Sequence, residues 1–181
     1  MKKIFCALLF LTVILSACSL PVASPQPVPP ATTQAPPTPR PEDCGYQWAN
    51  KDLPELSKSF QGSIQGLQPQ AQANVYAFGE NCMLADESIG SFSAMETDFN
   101  VTLQVSDVSN ESDLGEWIVK VMQVIESIPK ERIVGPQPGR VSLTFQSSSA
   151  QKVINFYINQ YQALDPGLSN SEIYQALQTP Q

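Results

Sequence analysis

The stretch "DFNVTLQVSDV", residues 98–108, decides the fold class of this chain. Phe99, Val101, Leu103 and Val105 alternate with Asn100, Thr102, Gln104 and Ser106. A period of two places the first set on one side of a β-strand and the second on the other. One side is apolar and the other polar, which is the pattern of a sheet covered on a single face.

The neighbouring segments supply the cover. Asp113 and Glu116 have capping-box spacing, and Leu114, Trp117, Ile118, Val121, Ile125 and Ile128 recur at helical spacing until Pro129. Upstream, "NVYAFG", 74–79, is β-branched and aromatic and reads as a strand stopped by Gly79. Before it, Asp52 is positioned to cap a helix with Pro54 in its first turn and Leu56, Phe60, Ile64 and Leu67 along one side. Downstream, "VGPQPG", 134–139, is a turn, and Val141, Leu143 and Phe145 alternate with Ser142, Thr144 and Gln146 as a third strand. Ser147 to Ser149 then offer a cap for a last helix. Its stripe would be Ala150, Val153, Ile154, Tyr157, Ile158, Tyr161 and Leu164, closed by Pro166 and Gly167. The predicted class is α+β. It is a small two-layer domain with about a three-stranded sheet and helices packed on one face, in the order α-β-β-α-β-α. The first two strands are expected to pair antiparallel, and the second and third, joined through a helix, to run parallel. The head so defined covers residues 44–166, and 167–181 reads as a polar C-terminal tail with a weak helical patch at Ile173, Tyr174 and Leu177.

The start of the chain has a different composition. Lys2 and Lys3 precede an apolar run from Ile4 to Leu15. A helix of that length rises about 18 Å, short of the ~30 Å hydrocarbon core, so it reads as an export signal and not as a spanning helix. The run ends in Leu15-Ser16-Ala17-Cys18, which resembles the lipobox of bacterial lipoproteins at all four positions. The resemblance implies that residues 1–17 are a signal peptide and that Cys18 becomes the acylated first residue of the mature chain. Its acyl chains, of the palmitate kind, would make the membrane a partner. The expected location is the outer face of the cytoplasmic membrane or the outer membrane of a bacterium. Residues 18–43 then read as a stalk, with nine prolines between Ser19 and Asp43 and no aromatic residue. Such a segment buries too little apolar surface to offset its ordering entropy and favours extended polyproline II.

Loss of Lys2 and Lys3 with the signal leaves eight basic against seventeen acidic residues, a net charge of −9. That charge repels polyanions, so no nucleic acid is expected as a partner. The chain contains no histidine, which removes Ser-His-Asp and Cys-His catalysis and every His-containing zinc site. With Cys6 lost in the signal and Cys18 acylated, Cys44 and Cys82 remain, and in an oxidising compartment they most simply form a disulfide. A thiolate nucleophile or a two-thiol metal site are the competing readings, and neither has a partner residue nearby in sequence.

The remaining candidates are carboxylates and aromatics. Glu80, Asp86 and Glu87 are oxygen donors in one loop region, the chemistry Ca²⁺ requires. Glu96 and Asp98 share one strand face and could do acid–base work. A solvated acidic surface is the alternative for all five. Tyr46, Trp48 and Trp117 either line a sugar- or peptide-binding face or pack inward, Trp117 in the core and the other two over the disulfide. There is no P-loop, GxGxxG, GxSxG or SxxK motif. The reading is a membrane-anchored extracytoplasmic lipoprotein that presents a small binding or assembly domain on a Pro-rich stalk. It is not expected to be an enzyme, and no catalytic residue is assigned. Asn100, Thr102 and Gln104, with Glu96 and Asp98, are the candidate contacts to an envelope protein or ligand. No cofactor is expected beyond the Ca²⁺ candidate. The alternatives are a structural envelope component and a carboxylate- or Ca²⁺-dependent enzyme.

Overall fold

In the strand Ile89–Gln104 the alternation read from residue 98 onward becomes one wall of the core. The computed structural model describes residues 44–178, so the lipobox, Cys18 and the stalk lie outside the described residues. The elements run β1 (Gly45–Asp52), α1 (Pro54–Leu67), β2 (Gln72–Met83), β3 (Ile89–Gln104), α2 (Glu111–Glu126), β4 (Arg140–Gln146), β5 (Gln151–Tyr157), α3 (Ile158–Gln162) and α4 (Asn170–Gln178). The class is α+β, with five strands in the order β1-β2-β3-β4-β5. β1–β2, β2–β3 and β4–β5 are antiparallel. β3 and β4 are parallel, with α2 as the crossover that such a pair requires.

The register sets out one apolar face. Val75, Phe99, Val141 and Phe156 stand in a row across four strands, and Ala73, Val101, Leu143 and Ile154 form the next. Against them pack Leu56, Phe60 and Ile64 of α1, Leu114, Ile118, Val121, Met122 and Ile125 of α2, and Tyr174 and Leu177 of α4. Phe60 meets Phe99 edge-on at 5.1 Å.

Five expectations are corrected. The sheet has five strands where about three were expected, because β1 and β5 were not read as strands. Residues 151–157, expected inside a helix from 150 to 164, form β5. Ile154 and Phe156 alternate there with exposed Val153, Asn155 and Tyr157, and the segment completes the open edge of β4. The serines expected to cap that helix close a hairpin instead, with Ser147 N–H donating to the Ala150 carbonyl at 2.8 Å. Residues 167–181, read as a polar tail, hold α4, whose Tyr174 is 0% exposed, so the head extends past residue 166. Finally, both caps differ. α1 is preceded by Leu53 with no side-chain cap, and α2 starts after Asn110, whose side chain accepts from Asp113 N–H at 3.4 Å.

Gly115 explains how α4 approaches so closely. A Cβ there would lie 1.8 Å from the Asn170 carbonyl oxygen, so only glycine lets the two helices meet. β2 and β3 run on together to a turn at residues 84–88. The Cys44–Cys82 disulfide ties the start of β1 to the far part of β2, with Cα atoms 5.0 Å apart.

Candidate functional site

Among the described residues, helices cover one face of the sheet and none covers the other. Its side chains follow from the register. One row reads Asp52, Tyr76 and Asp98, and continues in the neighbouring strands with Arg140 and Tyr157. Beside it stand Asn50, Phe78 and Glu96, and then Trp48 opposite Glu80. On the other side come Asn74, Asn100, Ser142 and Asn155, then Gln72, Thr102, Thr144 and Val153, then Gln104, Gln146 and Gln151.

The centre of this face is a buried charge cluster. Asp98 is 2% exposed, and its Oδ1 accepts from the Arg140 backbone N–H at 2.8 Å. Among the described residues, its Oδ2 has no hydrogen-bond partner, and it lies 3.8 Å from the Arg140 Nη2. The same Nη2 donates to the Tyr76 hydroxyl at 3.5 Å. Glu96 is 8% exposed, and burial followed by the negative charge of Asp98 raises its pKa, with Arg140 pulling partly against them. Glu96 floors a cleft of 460 Å³ lined by Gln137, Pro138, Tyr157, Asn159 and Gln160.

A bulge and a glycine loop build this cleft. The β2–β3 register slips between Phe78 and Gly79, leaving Met95 as the extra residue of β3. The Met95 carbonyl accepts from Gln137 N–H at 2.9 Å. Thr97 Oγ1 donates to the Val134 carbonyl at 2.8 Å and accepts from Val134 N–H at 2.9 Å. Gly135 sits between these anchors at φ 88°, where a Cβ would strike the Met95 backbone at 2.3 Å. The 134–139 turn is thereby pinned against β3 as one wall of the cleft.

At the β1 end of the open face stands an aromatic shelf. The Trp48 and Phe78 rings are nearly parallel, 12° apart with centroids at 5.2 Å. Trp48 is 58% exposed and Tyr46 71%. Neither is buried over the disulfide, the placement favoured from the sequence, because β1 lies at the sheet edge and none of its residues is buried. Trp117 is half-buried against the core, with Lys120 Nζ 4.8 Å above its ring. Tyr157, expected to help close the covered face from a helix, lies exposed in β5 instead.

The five binding candidates Glu96, Asp98, Asn100, Thr102 and Gln104 all project from β3 onto the open face. Asn100 and Thr102 are half-buried and Gln104 is exposed, its amide donating to Gln146 at 3.0 Å. The Ca²⁺ candidates do not converge. Glu80 lies three residues before the end of β2, about 10 Å along the strand from the turn. Asp86 in that turn is engaged with Ser88 N–H at 3.0 Å and Ser88 Oγ at 2.6 Å, hydrogen bonds that lower its pKa. Among the described residues, no group of three or more acidic or cysteine side chains is placed to hold a metal. Trp48 was a candidate from the sequence, but Arg140, Tyr76, Tyr157 and the pairing of Trp48 with Phe78 were not legible, because only the strand register brings them together. Comparison with protein-family models, curated proteins and solved structures returns no match.

Proposed function

We propose that this chain is a lipid-anchored extracytoplasmic binding module. Acylation at Cys18 holds it on a membrane, residues 18–43 act as a spacer, and the head presents its open sheet face to a partner. The observation that carries the reading is the one-sided cover of a five-stranded sheet whose other face exposes Trp48, Tyr46 and Tyr157 among amide and hydroxyl side chains. The Cys44–Cys82 disulfide suits an oxidising compartment. Two experiments test the two halves. Cys18→Ala should abolish lipid labelling and release the exported protein from membranes, and an unmodified Cys18 at the mature N-terminus would refute the anchor. Thr102→Lys with Gln104→Lys places two charges on the open face without touching the core. The pair should leave folding intact and abolish capture of the partner from intact envelopes. Unchanged capture would refute the face.

A second reading rests on Glu96, a carboxyl of raised pKa lining the cleft, with the ion-paired Asp98 beside it. Acid–base chemistry by this pair predicts a turnover that Glu96→Gln and Asp98→Asn each remove.

A further inference from the structure

We propose that the ligand of the open face is a neutral glycan, stacked on the Trp48–Phe78 shelf and hydrogen-bonded by the amide rows beside it. The inference rests on the open face being the binding surface and names what it binds.

The shelf has two properties that a core residue lacks. Trp48 is more than half exposed, yet Phe78 fixes its ring in place, so little side-chain entropy remains to be lost when a ligand lands on it. Each ring also has a hydrogen-bonding neighbour directly across the ladder: Glu80 opposite Trp48, and Asn50 on one side and Glu96 on the other of Phe78. A pyranose matches both features. The C–H groups on one side of the sugar ring are apolar and lie flat on an aromatic face, while the hydroxyls around its rim donate to carboxylate and amide oxygens.

The rest of the face extends the same chemistry. Asn74, Asn100, Ser142 and Asn155 form one row, and Gln72, Thr102 and Thr144 lie in the next. Every one of these side chains can both donate and accept, and none carries charge. Hydroxyl groups also both donate and accept, so a polyhydroxylated chain can be satisfied along the whole row. Five strands span about 19 Å at the usual strand spacing, room for an extended chain and not only a single sugar.

Charge narrows the class. A mature chain of net charge −9 disfavours anionic polysaccharide and nucleic acid. Asp52, Glu80, Glu96 and Asp98 stand on the face against Arg140, which is engaged with Asp98, so a cationic ligand is the competing class that the test includes. A peptide added as a strand would use the free backbone edges of β1 and β5 and leave the face unread.

The test uses the full lipidated chain in a detergent without a sugar headgroup, carrying Trp117→Phe so that Trp48 is the only tryptophan. Cellohexaose, chitohexaose and maltohexaose are titrated separately, with octalysine as a cationic comparison. At least one hexasaccharide should change Trp48 emission saturably. Calorimetry on Trp48→Ala should then show the affinity reduced by up to about tenfold, the scale of one lost aromatic stacking contact. Thr102→Lys with Gln104→Lys should weaken the same binding. No saturable change with any hexasaccharide, an affinity unchanged in Trp48→Ala, or a response to octalysine alone overturns the glycan assignment. If glycans fail while the double lysine variant still blocks capture of an envelope partner, the binding face stands and only its ligand class is wrong.

Discussion

Thr97→Val is the sharpest test of how the cleft is held. Thr97 is buried, and its Oγ1 makes two hydrogen bonds to one residue, donating to the Val134 carbonyl and accepting from its N–H. Valine keeps the branched shape and replaces the hydroxyl by a methyl that cannot hydrogen-bond and cannot approach Val134 as closely. Both backbone groups of Val134 are then left without that partner. An unsatisfied buried polar group costs ~1–3 kcal/mol. Val134 is half-buried, so water recovers part of this, and a total loss of about 2 kcal/mol is expected. In urea the unfolding midpoint should fall by roughly 1.3 M at an unchanged slope of ~1.5 kcal/mol/M. The loop should also loosen from β3, because the remaining pin is the Gln137 N–H bond to the Met95 carbonyl. Water then reaches Glu96, and its pKa should fall back toward the ordinary range in an NMR titration of its carboxyl. A stability loss below about 0.5 kcal/mol, or a Glu96 titration identical to the parent, would refute this account.

The other predictions concern charge, the bridge and the last helix. Glu96 has its pKa raised on folding by burial and by Asp98, so its contribution to stability is fully present below the ordinary glutamate value of 4.5 and is lost as pH rises through the folded value. Glu96→Gln, neutral at every pH, should therefore be more stable than the parent at neutral pH and show a flatter stability profile above pH 4.5; a parallel profile in thermal unfolding refutes it. Reducing the Cys44–Cys82 bridge, or replacing both by Ser, should lower stability by ~4 kcal/mol on the chain-entropy model, read by denaturant unfolding with and without reductant. Tyr174→Ala should cost about 3–5 kcal/mol, as for a large core aromatic, and equal stability in that variant would return residues 167–181 to the status of a tail. Gly115→Ala should destabilise by displacing α4, detected as faster amide exchange in α4 than in β3.

What could be read from the sequence follows what is buried. β3 was legible because Phe99, Val101 and Leu103 are buried and Asn100 and Thr102 are not, so its alternation records its environment. β5 carries only two buried positions, Ile154 and Phe156, and its apolar residues also fit a helical stripe; the open edge of β4 decides between them. In α4 only Tyr174 and Leu177 are buried, so the sequence shows no more than a weak helical patch at Ile173, Tyr174 and Leu177. β1 was illegible for a different reason. None of its residues is buried, so no period marks it, and it is held by its ladder to β2, the Trp48–Phe78 stack and the bridge at Cys44. The same holds for the site. Glu96 and Asp98 could be paired from their i, i+2 spacing, but Tyr76 and Arg140 reach them only through the ladder, and Glu96 keeps its place beside Asp98 because the bulge at Met95 lies before both and not between them. Departures from local pattern concentrate where side chains serve something other than the core. β1 is the clearest case: a strand that adds nothing to the core is fixed covalently at its first turn and stiffened by a ring stack. Those constraints do little for packing. They hold the outward orientation of Tyr46, Trp48 and Asn50, so the reason for the strand lies in what it presents.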